Sequence, residues 1–80
     1  MSTSPKIALL EEYALVARAL SAPARLMLLE QLAQGERGVE ALAEKTGLTL
    51  ANCSQHLQQL RRAALVTSRR EGKAVIYRLT

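Results

Sequence analysis

The stretch Val39-Glu-Ala-Leu-Ala-Glu-Lys-Thr-Gly-Leu-Thr-Leu-Ala-Asn-Cys-Ser-Gln-His-Leu-Gln-Gln-Leu-Arg-Arg-Ala63 decides the fold. Val39, Leu42, Ala43 and Thr46 recur at helical spacing until Gly47 stops them, which predicts a helix of about two turns. Leu48 is placed to pack and Thr49 to cap, and Leu50 to Ala63 form the next helix. Two helices joined by nothing but Gly-Leu-Thr are a helix-turn-helix signature over 39–63.

On the N-terminal side, Ser4 followed by Pro5 reads as a helix cap with proline at the first helical position. The first helix is expected over about 5–20, with Ile7, Leu10, Ala14, Ala17 and Leu20 recurring as its core stripe. Leu9, Tyr13, Leu15 and Val16 are apolar surface beyond that stripe, and Leu9, Tyr13 and Val16 are assigned to a dimer interface. Ser21 is expected to cap a second helix with Pro23 in its first turn, burying Leu26, Leu29, Leu32 and Ala33 until Gly35 ends it. Gly35-Glu-Arg-Gly38 is a turn with room for a minimal strand. On the C-terminal side, Leu65 to Arg70 and Ala74 to Leu79 are β-prone segments around Glu71-Gly72-Lys73, a basic-tipped hairpin over 65–79. The expectation is one domain over 1–80, mainly α with a small β-hairpin: a winged helix-turn-helix of about four helices and a two-stranded wing.

Composition narrows the function. Eighty residues allow one small core, and 49% apolar with 22% charged residues is globular composition. No apolar run approaches the ~18 residues of a membrane span. With only Tyr13 and Tyr77 as aromatics the core must be aliphatic, and a core this small often needs a partner subunit to complete it. The net charge of +4 is unevenly spread: residues 60–80 hold Arg61, Arg62, Arg69, Arg70, Lys73 and Arg78 against the single acid Glu71, a local +5. That suits a phosphate-bearing partner. The lone Cys53 excludes an internal disulfide, and Met1-Ser-Thr-Ser-Pro5 lacks a basic-then-apolar leader, so a cytoplasmic location is expected. No Ser-His-acid set, carboxylate pair or glycine-rich phosphate loop occurs, which argues against an enzyme.

At 100° per residue, Leu50, Cys53, Leu57, Leu60 and Ala64 share one side of the helix after the turn, with His56 at its edge. The other side carries Ala51, Asn52, Gln55, Gln58, Gln59 and Arg62, flanked by Ser54 and Arg61, and no acid. Amides donate and accept together, which suits base edges, while arginines suit phosphates. Thr49, Ala51, Asn52, Ser54, Gln55 and Gln58 are therefore the base-reading candidates. His56, Arg61, Arg62, Arg69, Arg70 and Lys73 are the phosphate candidates. An ordinary solvated helix face is the plainer alternative. Cys53 has two readings, a small buried hydrophobe or a redox thiol, and its place between Leu50 and Leu57 favours the first.

Four separated blocks carry a resemblance: Ala19-Leu-Ser-Ala-Pro-Ala-Arg-Leu-Met-Leu-Leu29, Leu42-Ala-Glu-Lys-Thr-Gly-Leu-Thr49, Ser54-Gln-His-Leu-Gln-Gln-Leu-Arg-Arg-Ala-Ala-Leu-Val66 and Arg69-Arg-Glu-Gly-Lys-Ala-Val-Ile-Tyr-Arg-Leu79. In order and spacing they resemble the ArsR/SmtB family of winged-helix repressors over about 15–80. The resemblance implies a homodimer on double-stranded DNA at an inverted-repeat operator, the second helix of the pair in the major groove and the hairpin along the backbone. It also implies an effector that releases the operator, and control of a stress, metalloid or sulfur-response operon. Two departures qualify it. Gly38 and Glu40 stand where arsenic and cadmium sensors carry Cys-x-Cys, and the dimer helix bearing zinc ligands in other members would lie beyond Thr80. With one Cys and one His, a four-ligand zinc site would need Glu, water or a second subunit, so neither a metal nor a cofactor is expected. The third block also resembles members followed by a rhodanese domain. A module docking on protein or RNA is the alternative in a different class, and an acid-free amide face weighs against protein docking.

Overall fold

The computed structural model describes residues 4–80; the domain expected over 1–80 is thus seen from Ser4 on, and residues 1–3 lie outside the described residues. Four helices, α1 (Pro5–Ala19), α2 (Pro23–Ala33), α3 (Val39–Thr46) and α4 (Leu50–Arg62), are joined by three strands, β1 (Arg37–Gly38), β2 (Val66–Glu71) and β3 (Ala74–Leu79). The turn residues act as the sequence predicts. Gly47 takes φ 75° at the end of α3, a conformation only glycine adopts at little cost, and Leu48 N then donates to Ala43 O at 3.1 Å. Thr49 has extended backbone and its Oγ1 accepts from Asn52 N at 3.1 Å, which starts α4. Chain reversal between α3 and α4 is therefore local chemistry, and packing of Leu42 and Ala43 against Cys53, Leu57 and Leu60, all buried, holds the pair.

The sheet is antiparallel in the order β1-β3-β2, with Arg37 opposite Tyr77, Ser68 opposite Tyr77 on the other side, and Glu71 opposite Ala74 closing the hairpin. Gly72 at φ 62° lets that two-residue turn match the strand twist. Side chains alternate across a strand. Val66, Ser68, Arg70, Val75 and Tyr77 therefore share the face that closes the core, where Val66 and Tyr77 are buried, while Thr67, Arg69, Ile76 and Arg78 share the other.

Several expectations about the helices are corrected. The stripe Ile7, Leu10, Ala14, Ala17 and Leu20 faces outward, not inward: Ile7 is 49% and Leu10 51% exposed. The core side is Leu15, Val16 and Ala19: of the expected interface set, Val16 packs partly against its own core, whereas Leu9 and Tyr13 stay exposed. The period was legible but the side was not, because apolar residues occur on every side of α1 between Lys6, Glu11, Glu12 and Arg18, and small Ala19 allows the close approach to the core that no pattern marks. In α2, Leu28 is buried in place of Leu26 and Ala33, which are exposed; five of seven positions over 26–32 are apolar, so hydropathy chooses no face. The cap position of α2 is Ala22, with no side-chain cap bond, since Ser21 Oγ donates instead to Arg18 O at 2.7 Å. Leu50 is 53% exposed, because the first turn of α4 runs past the core's edge. Ala64 lies beyond the end of α4 at φ 61°, out of helical register, and Ala63 fills the buried place expected of it.

Candidate nucleic-acid interface

The outer side of α4 presents Ala51, Asn52, Gln55, Gln58, Arg61 and Arg62 as exposed residues, with Ser54 and Gln59 half-buried at its flanks. No acidic residue occurs between Lys45 and Arg70. The face is thus polar and uncharged at its start and basic at its end, where Gln58, Arg61 and Arg62 line a shallow depression of about 360 Å³. Thr49 is engaged as the helix cap, which leaves its hydroxyl hydrogen to donate.

The wing splits its cations between two faces. Arg70, at the tip, shares the core-closing face, and Lys73 in the turn lines a cleft of about 300 Å³ with Val39, Leu50, Ser54 and Val75. That cleft, which Glu40 also lines, lies between the wing and the first turn of α4, so Lys73 is set beside the start of the amide face, while Arg70 is exposed near the end of β2. Arg69 lies on the opposite face and is not free: Nη1 and Nη2 donate to both carboxylate oxygens of Glu36 at 2.8 and 2.6 Å, and Nη2 and Nε donate to Glu71 at 2.8 and 3.2 Å. The Arg69 bonds, aided by the charges of Arg69 and Arg78, hold the Glu36 carboxyl below the ordinary carboxylate range, and the two acids push Arg69 up in return. Of the expected phosphate set, Arg69 therefore fastens the middle of β2 to the turn before β1. His56 is half-buried beside α2, with Nδ1 at 3.1 Å from Arg25 Nη1. Cys53 is fully buried with Sγ 3.9 Å from Val39 O, and burial pushes its thiol up. Both observations fit its reading as a core residue and oppose thiolate chemistry.

Two residues entered no site assignment, and a third was assigned to the core. Arg78 is exposed on the wing, and its charge in the basic C-terminal quarter was the available signal. Leu50 lines the cleft because it is exposed where helical phase put it inside. Arg25 had no signal, since its partners are two backbone carbonyls and a residue 31 positions away. Among the described residues, no three His, Cys, Asp or Glu side chains gather as a metal ion would require.

The chain matches the family described as "Helix-turn-helix domain" over residues 20–69. It is 49% identical over 74 residues to the HTH-type transcriptional regulator Rv0324 of Mycobacterium tuberculosis, across 92% of this chain and 33% of that protein. With the biofilm growth-associated repressor of Agrobacterium fabrum it shares 46% identity over 68 residues, across 85% of this chain and 58% of the repressor. The chain thus spans between a third and about three fifths of the length of these relatives. Among solved structures, the homodimeric winged helix-turn-helix DNA-binding domain (fragment 1-100) of Mb0332 from Mycobacterium bovis, described as "a possible ArsR-family transcriptional regulator", superposes with a TM-score of 0.91 at 46% identity, covering 98% of this chain and 72% of that one. The shared fold, the family match over the helix-turn-helix and identities near one half lead to one assignment. This chain belongs to the ArsR/SmtB family of winged helix-turn-helix proteins, a family of transcriptional regulators and not of enzymes.

Proposed function

We propose that this chain binds DNA sequence-specifically as a homodimer and represses transcription, reading bases in the major groove with Asn52, Gln55 and Gln58 of α4. The observation that carries this reading is the exposed, acid-free amide face of α4, flanked by Arg61 and Arg62, with Lys73 of the wing across the cleft from its first turn. Amides placed over base edges discriminate, and cations along the backbone supply affinity without discrimination. A surface that docks on protein has no comparable use for an acid-free amide face. The pairing surface is the outward face of α1, where Leu10, Tyr13, Ala14 and Ala17 are exposed together; the homodimeric relative supports pairing itself. Two-fold pairing places two recognition helices about one DNA turn (~34 Å) apart, so the operator is an inverted repeat. The setting the family resemblance favours is a cytoplasmic switch on a small stress, metalloid or sulfur-response operon.

The test begins by enriching duplexes from a randomised pool on the wild-type chain. Gln55→Ala and Asn52→Ala should each weaken the enriched duplex by about 1–3 kcal/mol and leave random DNA unaffected, while Arg70→Ala weakens both. Equal losses on both duplexes for all three variants, or no enrichment at all, would overturn the base-reading role.

A further inference from the structure

Arg25 stands in the first turn of α2, yet its guanidinium serves two other helices. Nε donates to Ala19 O and Nη2 to Arg18 O, each at 2.7 Å, and Nη1 donates to His56 Nδ1 at 3.1 Å. Arg18 and Ala19 are the last residues of α1, where carbonyls lack intrahelical partners and the helix dipole is negative. His56 lies mid-way along α4, between exposed Gln55 and buried Leu57. A guanidinium is always protonated and only donates, so Nδ1 is the acceptor and the ring proton sits on Nε2.

This junction matters because α1 has little else to hold it. Ala19 is its one buried residue among those described, with Leu15 and Val16 packed partly against the core. Two apolar contacts and a methyl group permit rocking; a planar fork bound at three points to two helices does not. Lysine, a single rotatable point charge, could satisfy one carbonyl but could not fix a plane.

We infer that Arg25 is a positioning residue that sets the angle between the partner-facing helix α1 and the base-facing helix α4, and thereby the half-site spacing that a pair of subunits accepts. The inference rests on the dimeric DNA-binding reading for its functional half; its structural half stands on the free protein. In the free wild-type chain, amide residual dipolar couplings of α1 and α4 fit one alignment tensor, whereas in Arg25→Gln and Arg25→Lys the two helices require separate tensors. On the duplex enriched by the wild type, both variants lose about tenfold or more in affinity, while a single half-site duplex changes by less than about twofold. They also bind duplexes with half-sites moved by one base pair nearly as well as the parent. His56→Asn, whose Oδ1 lies where Nδ1 accepts, keeps the wild-type spacing preference, and His56→Leu does not. A single tensor in Arg25→Gln, or an unchanged spacing preference, overturns the inference. Wild-type chain that gains nothing from a second half-site overturns the dimeric reading instead, and the coupling data then decide the structural half alone.

Discussion

Ala64 is the one non-glycine residue at positive φ among those described, at 61°, directly after α4 hands over to β2. A Cβ in that region costs about 1–2 kcal/mol, partly offset by the extra unfolded-state freedom a glycine brings, so Ala64→Gly should stabilise the fold by about 0.5–1 kcal/mol. Thermal unfolding reads this as a rise in Tm of about 2–8 °C, and a fall would mean the exposed methyl makes a contact worth more than the strain. Cys53 makes the opposite kind of claim, being locked in. Burial favours its neutral thiol, so its contribution to stability is complete below the pKa of the unfolded thiol and is lost as pH rises toward the raised folded value. At pH 8, iodoacetamide should label Cys53 at the rate of global unfolding, accelerating in step with urea; denaturant-independent labelling would contradict its burial.

The wing is a lever fastened along its length. Arg69 joins Glu36, before β1, to Glu71 at the tip of β2, and both ion pairs are about half exposed, so their role is orientation more than stability. Glu36→Gln should release that guanidinium toward a phosphate. The slope of log affinity against log salt on random DNA should then steepen by about 1 per released cation, measured by fluorescence anisotropy; an unchanged slope would mean Glu71 holds Arg69 alone. Because the Glu36 carboxyl is held below its ordinary range, the pairing persists through neutral pH and is lost as pH falls through that depressed value, visible in the Glu36 carboxyl carbon shift. At this scale much was legible in advance. Gly47, Thr49, Gly72 and the spacing of Leu57 and Leu60 are local chemistry, and each element they delimit lies within a residue or two of its expected bounds. What escaped the sequence was long-range: which side of α1 and α2 meets the core, Arg69 turning to Glu36, and Arg25 reaching α4. Each depends on a partner distant along the chain, where a helix with apolar residues on every side or an unpaired-looking arginine carries no periodic mark.

Across the whole molecule, α1 spends its apolar surface outward. Ile7, Leu10 and Tyr13 are 49%, 51% and 59% exposed on a protein that buries no polar or charged residue among those described. Burying such side chains contributes about 1.5–3 kcal/mol each, so Tyr13→Glu or Leu10→Glu should yield folded monomers by sedimentation that lose far more operator affinity than any single α4 substitution. Wild type sedimenting as a monomer at tens of micromolar would remove α1 as the pairing surface. The single buried residue that α1 gives its own subunit also shapes dosage. Pairs form in proportion to the square of the free chain concentration, so occupancy of a two-half-site operator rises more steeply than first order as the protein accumulates. On the proposed pairing through α1, a cell crosses from open to closed promoter over a narrow window of expression, with the threshold set by the greasy outer face of one helix.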